Sequence, residues 1–262
     1  MIRSLNTAER AMQMQQVRID ALANNLANAN STGFRQILTR VAEEGVGPAT
    51  NTGEGVAPAD DGQLLRDLPK DQNWAPAPVM EMEHAVDIRP GAIRPTGRET
   101  DLALMGRGFF AVETPGGERY TRAGSFLINA EKNLTTPSGE LLIGTGGPIQ
   151  INGEAFSVEP DGTVMVDGNL VGRVKVVDFE DATKLMHQGN NLLEAPVDMG
   201  PTEVPPAEVV LAQGHLESSN VNPIDTLVAM IAAQRAFEVQ AKILTTEDEM
   251  LDKSVNTLSR VR

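Results

Sequence analysis

Residues 222–244 read NPIDTLVAMIAAQRAFEVQAKIL, and this stretch decides the fold because it has the pattern of a long amphipathic helix. Asn222 can cap the helix, Pro223 suits its first position, and Asp225 places negative charge in its first turn. Apolar residues then recur at steps of three and four, interrupted by two polar residues; this C-terminal seam comprises Leu227, Met230, Phe237, Ala241, Leu244, Leu251, Val255 and Leu258. A heptad seam of this length predicts a helix of about 35 residues, roughly 50 Å long, that packs on other helices.

The N-terminal end of the chain repeats this design. Its seam comprises Leu5, Ala8, Met12, Ile19, Leu22, Leu26 and Ala29. Gln15 is the one polar interruption. The pattern ends at Asn30-Ser31-Thr32-Gly33, where the glycine can adopt the left-handed conformation that terminates a helix. The sequence therefore predicts a second amphipathic helix at the start of the chain.

The C-terminal helix offers more apolar surface than one partner helix covers. Outside the seam it carries Ile224, Val228, Ile231, Val239 and Ile243. Two arrangements remain open: the terminal helices pair with each other in one globule, or they pack against helices of other molecules. The surplus apolar surface and the placement of the seams at opposite ends of the chain favour the second arrangement.

We therefore predict an assembly interface on both terminal helices. Its candidate residues are Leu5, Met12, Ile19, Leu22, Leu26, Leu227, Met230, Phe237, Leu244, Leu251 and Leu258.

The middle of the chain has a different composition. Seven glycines and seven prolines fall between Arg40 and Arg98, which is typical of an extended connector. Short β segments follow, separated by Gly-rich turns; they are Phe109–Val112, Phe126–Ile128, Leu141–Ile143, Ile149–Ile151, Thr163–Val166 and Val174–Val177. We expect an α+β fold with four parts: an assembly helix (1–35), the connector (36–98), a mainly antiparallel β domain (99–215) and a second assembly helix (216–262).

Several chemistries lack support in the sequence. Without cysteine, neither a disulfide, a thiolate metal site nor a cysteine nucleophile can form. The three histidines His84, His187 and His215 are far apart, so solvent-facing or locally bonded histidines are the favoured interpretation. Gly144–Gly147 lacks the helix and Lys-Ser/Thr pair of a phosphate loop, and no serine-hydrolase elbow occurs. We expect no catalytic, cofactor-binding or metal-binding residues.

Charge and hydropathy restrict the partners and the location of the chain. The net charge is −14, and residues 36–220 alone account for about −15, which argues against nucleic-acid binding. No stretch has the length of a membrane span, so direct membrane insertion is not expected. The first residues lack the apolar core of a cleaved secretory signal, so any export should use a route without a cleaved leader.

Two segments resemble the flagellar axial proteins, the family of rod, hook and hook-associated subunits. Residues 23–34, ANNLANANSTGF, look like the N-terminal signature of that family, and residues 214–238 look like its C-terminal signature. Between them, residues 100–110 and 120–126 resemble the β domain that rod and hook members share. Finding both signatures in order at the chain ends is more specific than either alone.

The resemblance implies a structural protein of the flagellar basal-body rod, with terminal helices packed into an inner tube and the β domain outside. Its expected partners are copies of itself, other rod and hook axial proteins and the type III export apparatus of the flagellum. Residues 146–151 and 171–176 look more like proximal-rod members, the opening residues 1–5 more like distal-rod members, and the balance slightly favours the proximal type. A non-flagellar helical adaptor and an acid–base enzyme on the β domain stay open as alternatives.

Overall fold

The computed structural model describes residues 2–44, 79–153 and 155–258, with the side chains of residues 9–40, 84–153, 155–246, 249–250 and 253. In chain order the elements are α1 (Ile2–Ala27), β1 (Ile37–Glu44), β2 (Val79–Val86), β3 (Ile93–Pro95), β4 (Leu102–Met105), β5 (Phe109–Thr114), β6 (Gly117–Thr121), β7 (Leu127–Ile128), β8 (Leu134–Thr135), β9 (Leu141–Gly144), β10 (Gly147–Pro148), β11 (Phe156–Val158), β12 (Thr163–Val166), β13 (Asn169–Arg173), β14 (Val176–Asp178), a 3-10 helix (Ala182–Lys184), β15 (Met186–Gly189), β16 (Leu192–Glu194), β17 (Thr202–Glu203), β18 (Val210–Gln213), β19 (His215–Glu217) and α2 (Pro223–Leu258). The α+β class is confirmed.

The chain divides into two compact units. The first contains residues 1–39 and 84–262, and the second contains residues 40–83. Strands β1 and β2 form a two-stranded sheet.

The largest sheet is built around β5. Its strands follow the order β15-β16-β6-β5-β9-β8-β7, with β14 also paired to β5 and to β17, and β10 paired to β9. Phe110 lies opposite Thr121 of β6 and Val176 of β14, and each of these pairings is antiparallel. A separate three-stranded sheet has the order β11-β12-β13, while β18 pairs with β4 and β19 with β3.

The alternation of side chains along β5 places apolar residues on both faces of the sheet. Phe110 and Val112 belong to one buried cluster, with Phe126 and Leu142, and the Phe110 and Phe126 rings meet edge to face at 5.4 Å. Phe109 and Ala111 belong to a second cluster, whose other members include Tyr120, Val177, Phe179 and Leu193. The β5 strand is therefore buried on both sides, which explains its continuous apolar sequence.

The predicted strands agree with the observed ones at most positions. Strands are present at three of the predicted segments and partly at two others: residues 127–128 of Phe126–Ile128 form β7, and residues 176–177 of Val174–Val177 belong to β14. Ile149–Ile151 is an exception, because only Gln150 forms an isolated bridge, to Asn133. Ile149 and Ile151 are still buried, since both extend into the first apolar cluster. The apolar pattern at these two residues therefore predicted their burial correctly, although they do not belong to a continuous strand.

Removing the Phe110 ring should destabilise the β domain strongly. Phe110→Ala leaves a cavity in a fully buried position, and we expect a loss of about 3–5 kcal/mol in the free energy of unfolding. Leu170→Ala is the matched control, because that side chain is 70% exposed and its truncation should cost less than about 0.5 kcal/mol. Urea unfolding of both variants measures the difference. Equal losses would contradict the assignment of Phe110 to the core.

Candidate assembly interface

The end of α1 is fixed by the side chain of Asn25. This side chain is fully buried, and its amide group both donates and accepts a hydrogen bond. Its Nδ2 donates to the carbonyl of Ile37 at 2.8 Å, and its Oδ1 accepts from the amide N–H of Ile37 at 2.7 Å. The chain that leaves α1 is thereby folded back onto the helix from which it came.

Asn220 performs the corresponding task just before α2. Its Oδ1 accepts from the amide N–H of Gln36 at 2.8 Å. Its Nδ2 lies within hydrogen-bond distance of the carbonyls of Asp87 and Arg89, at 3.1 and 3.0 Å. One amide thus joins the segments that follow α1, follow β2 and precede α2.

Glu217 is the centre of this junction. Its backbone carbonyl accepts from the N–H of Gly33 at 2.7 Å, and its Oε1 accepts from the N–H of Gly91 at 2.8 Å. Oε1 also pairs with Arg35 Nη2 at 2.8 Å, and Oε2 pairs with Arg122 Nε at 2.9 Å. All three charged side chains are at most 4% exposed. A single carboxylate therefore links the loop after α1, the segment before β3 and the end of β6.

The two arginines are held by main-chain carbonyls as well as by the carboxylate. Arg122 donates to Gly108 at 2.7 Å and to Gly106 at 2.6 Å, and Arg35 donates to the carbonyl of Arg89. Burial lowers the pKa of Arg122 to about 10, and the charge of Glu217 opposes this shift. Burial also lowers the pKa of Arg35, with Glu217 again acting in the opposite direction. With a pKa of about 10, the Arg122 guanidinium remains charged at neutral pH.

Two glycines permit the close approach of these segments. Gly33 has φ +67°, and a Cβ there would lie 2.3 Å from the amide nitrogen of Ala123. A Cβ on Gly91 would lie 1.9 Å from the carbonyl oxygen of Ser218. Neither distance is compatible with a side chain, so the backbones meet only because both residues are glycine.

An aromatic contact fastens the same loop to the β domain. The buried ring of Phe34 stacks on His187, with ring centroids 5.2 Å apart. Burial lowers the pKa of His187 to about 4, and its Nε2 has no hydrogen-bond partner among the described residues. The interpretation of every histidine as solvent-facing or locally bonded is therefore wrong for His187. It holds for exposed His84 and for His215, whose Nδ1 lies 2.8 Å from the carbonyl of Gln213.

The two helices pack against each other along one face of α2. The covered positions recur at steps of three and four: Thr226, Met230, Ala233, Phe237, Gln240 and Leu244 are buried or half-buried. A second apolar face lies on the other side of α2 and stays exposed; its large residues are Ile224, Leu227, Val228, Ile231, Val239, Ile243 and Met250. We call this second face the outer stripe. One helix of this molecule covers only half of the apolar surface that α2 presents.

The predicted interface residues fall into three groups. Met12, Ile19, Leu22, Leu26, Met230, Phe237 and Leu244 are half-buried. Leu227 lies in the outer stripe with 44% of its surface exposed. The side chains of Leu5, Leu251 and Leu258 lie outside the described residues. The rest of the outer stripe was recognisable in the sequence only as a widening of the apolar face.

The remaining chemistry of the described residues is sparse. They contain no group of three or more His, Cys, Asp or Glu side chains placed to hold a metal ion. In the part of the chain that the structure describes, no helix is long and apolar enough to cross a membrane.

Removing the charge of Glu217 should loosen the junction. Glu217→Gln keeps the shape of the side chain but leaves two buried arginines without a carboxylate, and we expect a loss of about 3–5 kcal/mol. The control is Glu208→Gln, at an exposed position without an ion pair among the described residues, which should change stability by less than about 0.5 kcal/mol. Chemical denaturation monitored by circular dichroism measures both. A loss below about 1 kcal/mol for Glu217→Gln would contradict the role of this carboxylate.

The Phe34–His187 contact should make stability pH-dependent. The folded pKa of His187 is about 4, below the value of about 6.5 for an unfolded histidine, so the unfolded chain binds more protons between these values. This contribution is complete above pH 6.5 and is lost as the pH falls towards 4. Relative to His187→Phe, the unaltered chain should lose up to about 3 kcal/mol more between pH 7 and pH 4. An equal loss of stability in both proteins between pH 7 and pH 4 would contradict the assignment of a neutral imidazole to His187.

Comparison with known proteins matches three separate segments of the chain. Three family models match: "Flagella basal body rod protein" over residues 5–35, "Flagellar hook protein FlgE/F/G D1 domain" over residues 103–166, and "Flagellar basal body rod FlgEFG protein C-terminal" over residues 212–258. The first contains Asn25 and Arg35, the second Arg122, and the third Glu217 and Asn220. The residues of the junction therefore come from all three matched segments.

Full-length relatives agree with the family models. The chain is 34% identical to the flagellar basal-body rod protein FlgF of Caulobacter vibrioides, over 93% of this chain and 92% of the relative. It is 32% identical to the rod protein FlgG of Bacillus subtilis, over 98% and 99% of the two chains. FlgG of Borreliella burgdorferi is 31% identical, over 96% and 97%. The chain belongs to the flagellar basal-body rod protein family.

Proposed function

We propose that the chain is a structural subunit of the bacterial flagellar rod, which self-assembles through α1 and α2 into the axial tube that transmits torque. Members of the family are structural components of the rod, and the family is not an enzyme family. The observation that carries the assembly part of this proposal is the outer stripe, because a large apolar face on an exposed helix costs solubility unless another surface covers it.

This proposal assigns a role to each part of the chain. Residues 1–35 and 216–262 are the assembly helices, residues 36–98 the connector and residues 99–215 the β domain on the outside of the tube. The interface would include the predicted residues of both seams together with the outer stripe. Contacts of one face of a subunit with a different face of the next are heterologous, and such contacts produce open helical assemblies.

The location and partners also follow from membership in the family. We place the chain in the flagellar basal body, in the part of the rod that spans the periplasm, with other axial proteins as neighbours. Export through the flagellar type III apparatus without a cleaved signal suits terminal helices that gain most of their burial only in the assembly.

The position of the subunit within the rod is the finer part of the proposal. We favour the proximal rod, because of the proximal-type motifs at residues 146–151 and 171–176 and the 34% identity to an FlgF protein. A distal-rod position is the alternative, supported by the 32% identity to an FlgG protein over nearly the whole chain. Immunogold labelling of isolated basal bodies would separate the two by the distance of the label from the hook.

A charge in the outer stripe should block assembly without unfolding the molecule. Val228 is 62% exposed in the single chain, so Val228→Asp should change the melting temperature little. Buried against a neighbouring subunit, the unpaired carboxylate would cost several kcal/mol, on the order of 3–5, at every subunit. Immunoblots of purified basal bodies should therefore show strong loss of the variant.

The control for this experiment is Glu238→Gln, at an exposed position of the same helix. It should incorporate normally, because one exposed charge contributes at most a few tenths of a kcal/mol. Leu244 is a poorer site for the test, since it is half-buried on the face that α1 covers. Normal incorporation of Val228→Asp would refute the outer stripe as an assembly surface. A finite complex with one unrelated protein, seen by electron microscopy, would favour the helical adaptor instead.

A further inference from the structure

An exposed basic strip lies beside the junction of this acidic chain. Residues 88–98 contain Arg89, Arg94 and Arg98 and no acidic residue, in a protein with a net charge of −14. All three arginines are exposed. Arg89 pairs with Asp87 and Arg98 with Asp101, while Arg94 forms no ion pair among the described residues. We call residues 88–98 the basic strip.

The basic strip is also an open edge with apolar side chains. Its strand β3 is paired on one side only, to β19, in a two-stranded sheet. Ile88 and Ile93 are exposed within it. A cleft of about 600 Å³ adjoins the strip, lined by Arg89–Ala92, by residues 219–222 and by the first turns of α2. The cleft, the exposed side chains of Ile88 and Ile93 and the unpaired main-chain groups of β3 therefore lie near Arg94.

Acidic side chains also lie near the basic strip. In the junction Arg35 and Arg122 share the carboxylate of Glu217, and the charge of Asp87 acts on Arg35 as well. Asp225 lines the cleft, and its carboxylate accepts from Asn222 Nδ2 at 2.7 Å. Glu99, just beyond the strip, is the nearest exposed acid in the sequence. The positive character therefore belongs to the basic strip itself, where Arg94 has no ion pair among the described residues.

The far part of α2 has the opposite character. Residues 247–252 read EDEMLD, which contains four acids, followed by Lys253. From Pro223 to Glu249 the helix rises about 39 Å, at the standard rise per residue. The strip beside the base of α2 is therefore basic, and the sequence of α2 is acidic towards its end.

We propose that the basic strip of one molecule receives the acid-rich stretch 247–252 of α2 from a second copy of this chain. Two copies packed side by side at equal height would bring the acid-rich stretches of the two helices together. A displacement along the helix axis of about the length of α2 brings opposite charges together instead. Complementary charge of this kind sets the register between partners more than it adds affinity. The acid-rich stretch, with exposed Met250 beside it, matches the mixed basic and apolar surface of the strip.

This inference rests on the proposed function, since it names the neighbour and the register of the same assembly. The chain contains no cysteine, so introduced cysteines report single positions. Arg94→Cys and Glu249→Cys, combined in one chain, should give crosslinked dimers when isolated basal bodies are treated with a short bismaleimide. Glu249 lies about 39 Å along α2 from Pro223, whereas the strip adjoins the first turns of that helix, so a short crosslink between residues 94 and 249 reports contact between two copies.

Three controls make the result specific. Each single cysteine variant should give no dimer, and a dimer from either one would show like-charged ends in contact and overturn the inference. Glu249→Cys combined with Ser138→Cys, an exposed position of the β domain, should also give none. Equal crosslinking of this pair, or no crosslinking of the 94–249 pair in basal bodies that contain the protein, would overturn the inference. Absence of the unaltered protein from basal bodies would overturn the proposed function instead.

Charge exchange provides a second measurement that needs no cysteine. Arg94→Glu should lower incorporation into basal bodies by at least about threefold, because it places an acid against acids. Adding Glu249→Arg to the same chain should restore most of the incorporation. Failure of the second substitution to restore it would overturn the pairing of these two ends.

Discussion

The buried ion pairs of Glu217 with Arg35 and Arg122 are the constraint on which the rest of the structure depends. Removing three charged side chains from water costs several kcal/mol for each ion, and the mutual attraction returns this cost only with good geometry. Here main-chain groups contribute to the geometry: the amide of Gly91 donates to the carboxylate, and the carbonyls of residues 89, 106 and 108 accept from the two arginines. The arrangement can form only when all of these segments are in place. It therefore specifies one structure more than it adds stability.

The terminal helices and several core strands were predictable because their signals are local. Steps of three and four placed α1 and α2, and apolar segments between turns placed β5, β9, β12 and β14. Most other strands were missed, because two to five residues carry too little periodicity to register. The longer strands β1 and β2 were missed because they lie in the stretch 36–98 that was interpreted as an extended connector. Ile149–Ile151 shows the opposite error, because burial in a cluster gives the same apolar pattern as a strand.

The junction could not be predicted in the same way. Arg35 and Glu217 are 182 positions apart in the sequence. No local sequence pattern distinguishes a charged residue that will be buried from one that faces water. The family signatures contain Asn25 and Asn220, yet their role follows only from the main-chain groups that the fold brings to them. The polar residues of these signatures join the helices to the β domain. The apolar residues between them are left for packing.

The balance of energies on α2 bears on the proposed assembly, in which the chain is exported as a monomer and then forms a tube. Burying the exposed half of each of the seven large side chains of the outer stripe would yield about 1 kcal/mol apiece. Bringing two molecules together costs roughly 4–15 kcal/mol in lost freedom of motion. The free energy gained from one neighbour is then about equal to the cost of association, so isolated pairs should be short-lived. A subunit entering a growing end loses most of that freedom once but gains contacts with several neighbours. Only the assembled tube, in which each copy touches more than one other, would be strongly favoured.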